Sequence, residues 1–214
     1  MPPASSAVPR RRVPTQRRSR ERLDRITRAA GELCAAAGAG AATMEGIAAR
    51  AGTSVGSLYQ FFPNKDALLH AVAERYVADM GELLDAGDPP DVAALPLDAL
   101  VDAVLEPFVA FHRTHPGYFA ILFAPQGGAA LRRVRGRLRE RLVARVDRLF
   151  RARAPGLPAA KRRRVALTAV EAARALLQYV ETGVPAGARG PMRAELRAML
   201  LAYLGPALGD RRRG

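Results

Sequence analysis

Thr53, Ser57 and Gln60 place three hydrogen-bonding side chains at short spacing. A glutamine amide can bond bidentately to adenine, and serine and threonine hydroxyls bond several base edges. A Val55 methyl suits the thymine methyl, and Gly56 leaves room for a base or phosphate to come close to the backbone. Groups for bond-making chemistry are missing by contrast. No nucleophile, base and orienting residue come together in the pattern, and no glycine-rich phosphate cradle follows a strand. His112 and His115 are three residues apart with no third ligand nearby, and His70 is remote, so no metal is expected. No cofactor is expected either. Cys34 is the single cysteine, which rules out an internal disulfide; a buried small hydrophobe is expected there. The pattern reads as recognition without catalysis.

The elements that must position these side chains are helical. In Met44–Ala51, the residues Met44, Ile47, Ala48 and Ala51 share one face. In Val55–Phe62, Val55, Leu58, Tyr59 and Phe62 repeat that spacing. Between them, Gly52 can take positive φ and end the first helix, and Thr53 or Ser54 can cap the second. Two short helices around a tight glycine turn make a helix-turn-helix, which holds one helix in the major groove of DNA while the other braces it. Thr43 is expected to cap the first of the pair and Asn64 the helix that follows.

This stretch resembles the TetR family of bacterial transcriptional regulators. The resemblance rests on Thr43, Met44, Ile47, Ala48, Ala51, Gly52, Ser54, Gly56, Ser57, Leu58, Tyr59, Phe62, Lys65, Leu68 and Leu69, all at the family's offsets. It implies that Tyr59 and Lys65 bind phosphates; a phenol hydroxyl and an ammonium beside a helix start suit that role. The expected DNA-contacting set is therefore Thr43, Thr53, Ser54, Val55, Gly56, Ser57, Tyr59, Gln60 and Lys65. The chain departs from the family at Cys34, where Phe is frequent, and at Ala39, where an aromatic is usual. Both changes shrink the small core of the first three helices.

Composition agrees with an all-α fold. Hydrophobic residues are 49% of 214, aromatics only 6%, and Trp is absent, so Leu, Ala and Val must fill the core. The net charge of +14 draws the chain to polyanions. Its distribution is uneven: +5 through Met80, −6 from Gly81 to Gly128, and +15 from Ala129 onward. The largest excess therefore falls outside the helix-turn-helix. The arginines of the stretch from Leu131 to Ala152, among them Arg137, Arg141, Arg145 and Arg148, are expected on a solvated face. No long apolar run reads as membrane-spanning and no signal core follows the N-terminal arginines, so a cytoplasmic location is expected.

In chain order, residues 1–19 are expected to be a disordered basic arm, either touching DNA or simply solvated. Residues 20–66 form the helix-turn-helix domain, beginning with a helix from about Arg20 whose buried stripe is Leu23, Ile26, Ala30, Leu33 and Ala37. Residues 67–208 form a larger helical domain for ligand binding and dimerisation, and 209–214 a basic tail. The aromatic stretch around His112–Phe123 points to a pocket for a small, largely apolar effector. Phe108, Phe111, His112, Phe119, Leu122 and Phe123 are its expected wall, with Gln178 and Tyr179 reaching in from a later helix. The resemblance further implies a homodimer through the last two helices. The expectation is a ligand-responsive repressor acting on a palindromic operator; an activator of the same fold and a ligand-independent architectural DNA binder are the alternatives.

Overall fold

The computed structural model describes residues 13–124 and 128–209, with side chains from Ser19 onward except Arg20. Among these residues all regular structure is helical. Helix α1 is Val13–Ala41, α2 Met44–Arg50, α3 Val55–Phe61 and α4 Lys65–Asp85. The larger part follows with α5 Leu97–Thr114, α6 Tyr118–Leu122, α7 Ala129–Arg153, α8 Ala159–Gly183 and α9 Arg189–Leu208.

Helix α1 starts at Val13, ahead of the expected Arg20. Pro14 fits a first helical turn, where no N–H is needed, and the Arg and Gln residues beyond it are good helix formers. Apolar periodicity does not register that propensity. Residues 1–12 of the expected arm lie outside the described residues. Gly38, at φ 82° and ψ 158°, interrupts the regular run. The buried stripe differs from the expected one: Ile26, Ala30 and Cys34 are inside, while Leu23 and Ala37 are exposed. The stripe steps by four residues from Ile26, and Leu23 belongs to a neighbouring face. Helix α9 likewise begins at Arg189, before Pro191, and continues through Pro206.

Ile26, Ile47, Leu58 and Leu68 meet in the core of α1–α4 with almost no exposure. Burial of each such side chain stabilises by about 1.5–3 kcal/mol. Leu69, Val72, Tyr76 and Met80 carry that core along α4 into the second part of the molecule.

The arginines of α7 are largely exposed, as expected, but one edge of them is paired with the acidic segment and Arg145 is buried. Arg137 donates to both oxygens of Glu74, at 2.8 and 3.0 Å. Arg141 donates to both oxygens of Asp85 at 3.0 Å, its guanidinium crossing over Gly81 of α4. Arg145 bonds Asp88 at 3.0 Å and the Gly87 carbonyl at 2.9 Å. Four-residue spacing places these three on successive turns of one edge. The acidic middle segment thus meets the basic last segment, and Arg197 of α9 adds a paired contact with Asp102 of α5 at 2.5 and 2.8 Å. Arg137, Arg141 and Arg148 are all exposed.

Arg145 is the buried member, at 6% exposure. Arg145→Ala leaves the exposed Asp88 without its cation, the Gly87 carbonyl without its donor, and a gap where the buried side chain packed. A loss of about 1–2 kcal/mol is expected in urea denaturation. Arg137→Ala, on an exposed pair, costs less than about 1 kcal/mol.

Candidate DNA-recognition surface and internal cavity

Each short helix of the DNA-facing region starts on a side-chain cap. Thr43 Oγ1 accepts from Gly46 N–H at 3.0 Å, Ser54 Oγ from Ser57 N–H at 3.1 Å, and Asn64 Oδ1 from Ala67 N–H at 2.8 Å. Of the two caps open to α3, Ser54 is the one used. Helix α2 ends in a Schellman turn: Gly52, at φ 62°, donates to Ala49 O and Thr53 donates to Ala48 O. This turn fixes how α3 leaves α2.

Leu58 and Phe62 point into the core, and Val55 packs partly against it. That leaves Gly56, Tyr59 and Gln60 exposed together, at spacings of three and four on one face of α3. Ser54 and Thr43 are exposed beside the helix starts, and Thr53 and Ser57 are half-buried at the margin. The Thr43 and Ser54 oxygens accept from the backbone, so their hydroxyl protons remain to donate to phosphate. Phe61, at 40% exposure, adds an apolar edge to the surface. Lys65 already has work in the free chain: its Nζ donates to the carbonyls of Gly40 at 3.0 Å and Ala39 at 3.3 Å, tying α4 to the end of α1.

A cavity of about 110 Å³ lies between α5, α6, α7, α8 and α9. Of the expected wall residues, Phe108, His112 and Phe119 line it. Phe111 instead stacks on His115 at 3.6 Å, and Leu122 is wholly buried in the core. Phe123 lies beneath the Arg174 guanidinium, 4.9 Å from ring to Cζ. Gln178 accepts from Arg174 Nη1 at 3.0 Å, and Tyr179 is 56% exposed. None of these five is on the cavity wall. Aromatic density in the sequence marks the region; the direction in which α6 crosses α5 decides which rings face inward. Sequence reasoning missed the aliphatic wall from Leu97, Val101 and Val104 on α5 and Leu142 and Val146 on α7, together with Tyr118 and Arg174. The signal was there in the steps of three and four that lead along α5 to Phe108 and His112.

His112 is the unusual group. It stacks on Phe119 at 4.4 Å, and neither ring nitrogen has a hydrogen-bond partner. Burial pushes its pKa down to about 4; Glu181 and the Phe108 carbonyl favour the cation by less. The ring is neutral at pH 7. The unfolded chain takes up this proton near pH 6.5, the folded chain only near 4. Stability is therefore full above pH 6.5 and falls as pH drops from 6.5 to 4, by about 3 kcal/mol in all. His112→Phe should remove that part of the acid sensitivity, read as urea midpoints across the same range.

The cavity and the DNA-facing region share a joint. Gly117, at φ 73°, opens α6, and its α-carbon lies against the backbone of Gly31 in α1. A Cβ on Gly117 would come within 2.3 Å of the Gly31 carbonyl. Tyr76 of α4 donates to the Pro116 carbonyl at 2.8 Å and packs edge-on to His115. His115 Nε2 is 3.2 Å from Asp79 of α4, and Arg75 joins Asp79 to Asp24 of α1. Tyr118 and Phe119, the next residues of α6, line the cavity.

A capped helix pair with an exposed polar face, carried on a helical body with its own cavity, defines a helix-turn-helix regulator. A profile of bacterial regulatory proteins of the tetR family matches residues 26–72, and one of the tetracyclin repressor-like C-terminal domain matches residues 96–204. The chain belongs to the TetR family of DNA-binding transcriptional regulators, which are not enzymes. Among solved structures, it is similar to a TetR-family transcriptional regulator from Streptomyces coelicolor at 28% identity. That match covers 87% of this chain and 99% of the other, with a TM-score of 0.57. A TetR-like transcriptional regulator from Rhodococcus sp. RHA1 shares the fold at 22% identity, covering 91% and 99%, with a TM-score of 0.64. No curated protein matches the chain in sequence. Among the described residues, no helix is long and apolar enough to cross a membrane, and no cluster of metal-ligating side chains occurs.

Proposed function

We propose that the chain is a homodimeric repressor, acting in the cytoplasm, that releases a palindromic operator when a small, largely apolar molecule enters the cavity. The observation that carries this reading is the shared use of α6. Its side chains Tyr118 and Phe119 line the cavity, while the backbone of Gly117 at its start is wedged on α1. A ligand that shifts α6 must shift α1 or open the joint, because close-packed backbones do not compress. The residues that meet DNA are Thr43, Thr53, Ser54, Val55, Gly56, Ser57, Tyr59 and Gln60, with the remaining N–H of Lys65 on a phosphate. Residues 13–66 make up the DNA-binding part and 67–208 the body.

Exposed apolar side chains on the last two long helices support the dimer. Leu167 and Tyr179 on α8, and Met199 and Tyr203 on α9, are each about two-fifths exposed or more. A second copy of the same pair covers them in a two-fold arrangement, which a palindrome requires. Met199→Asp with Leu167→Asp should give a monomer by sedimentation and weaken operator binding at least a hundredfold, with helix content unchanged. Transcription from a promoter overlapping the inverted repeat tests the sign. Repression predicts less transcript on adding protein and recovery with effector; a rise in transcript would make the protein an activator.

A further inference from the structure

The cavity's shape and polarity define a narrower class of ligand. Its wall follows α5 from Leu97 to His112, roughly 22 Å at 1.5 Å per residue. Its volume is only about 110 Å³, so the space is long and thin. Helices α7 and α8 flank it for about two turns each, between Leu142 and Phe150 and between Ala169 and Leu177. The Leu97 end is aliphatic, closed by Leu100 and Leu149. The other end holds the polar atoms: the unpartnered nitrogens of His112, with Tyr118 and Arg174 beside it.

The head that this end accepts follows from what is already engaged. Arg174 is held by Glu171 at 2.9 Å and by Gln178 at 3.0 Å, and its plane covers Phe123. It brings its own counter-charge and has little to offer a second anion. His112, neutral and without a partner, can exchange one hydrogen bond in either direction. Among the cavity-lining residues Arg174 is the one cation, and an ionised head would trade its hydration for a charge already shared with Glu171.

Resting on the regulatory reading above, the geometry points to a slender, unbranched aliphatic molecule with one uncharged hydrogen-bonding head. Its chain lies along α5 toward Leu97, and its head, a hydroxyl or carbonyl, bonds His112. Extended chains advance about 3.5 Å per three bonds, so roughly eight to twelve carbons fill the stretch of about 12 Å that α7 and α8 flank. Fused rings are too broad for it.

Calorimetry on the full-length protein without DNA is the test, using straight-chain octanol, decanol and dodecanol, then decanoate and adamantanol. Affinity should rise about fourfold per methylene until the slot is full, then level off. Decanoate should bind more weakly than decanol, and adamantanol should not bind. His112→Phe should weaken decanol roughly three- to tenfold. Ala173→Phe, which fills the slot, should abolish decanol binding while the protein still binds its operator. Adamantanol matching decanol, affinities indifferent to chain length, or decanoate binding more tightly would each overturn the inference. Decanol binding with no change in operator affinity would uphold the chain site and refute the regulatory reading. A fused-ring compound releasing the operator, with no chain alcohol bound, would refute the chain site alone.

Discussion

Replacing Gly56 with leucine should leave the protein folded, or slightly more stable, and lower operator affinity at least a hundredfold. The two halves of this expectation have separate causes. A Cβ at Gly56 meets nothing within 4 Å in the free protein. Helical glycine costs up to about 1 kcal/mol relative to a residue with a side chain, so the melting temperature should hold or rise. The same position is exposed between Ser57 and Val55 on the face that also carries Tyr59 and Gln60. A four-carbon side chain there holds α3 off the base edges and forfeits several contacts together, each worth about 1–3 kcal/mol. A leucine variant that bound its operator normally would place the recognition surface elsewhere. A variant that simply unfolded would mean that Gly56 is a packing residue.

Gly117→Ala should be among the most destabilising single-methyl additions available, at about 3–5 kcal/mol. Two costs combine. The backbone is left-handed at φ 73°, and the new Cβ would lie 2.3 Å from the Gly31 carbonyl, a backbone atom that cannot swing aside. Gly209 separates them, because it has nearly the same backbone, φ 81° and ψ 12°, with nothing within 4 Å of its would-be Cβ. Gly209→Ala should therefore cost only the conformational part, about 1 kcal/mol. Similar losses at both positions in urea denaturation would show that the α1–α6 approach stores no close contact. With a much larger loss at Gly117, residual folded protein should also show altered effector response, since the altered contact joins cavity to DNA-facing helices.

What could be read beforehand follows from how local each feature is. Helix α3, Val55–Phe61, was legible to within a residue, because Gly52, Ser54 and the Leu58–Phe62 spacing act within one turn of chain. The start of α1 was not, because Arg- and Gln-rich helix carries no apolar period. The cavity was legible as a region but not as a surface. Phe108 and His112 lie four apart on the inner face of α5, whereas Phe111, one step away, turns to stack on His115. That choice depends on helices distant in sequence. The arginine ladder had a visible sign in the −6 and +15 segments, but matching Arg145 to Asp88 required the parallel course of α4 and α7. The Gly31–Gly117 approach left no local trace at all. Nothing in either flanking sequence says that two backbones will meet there.

Selection of duplexes bound by the full-length protein from a random pool at about 150 mM salt tests whether a two-fold regulator reads DNA through α3. One inverted repeat is expected, with half-sites about one helical turn apart. Its enrichment should be lost with Tyr59→Phe combined with Gln60→Ala. Enrichment of no sequence, with binding that disappears as salt rises, would contradict it and leave the +14 net charge as the whole basis of DNA affinity.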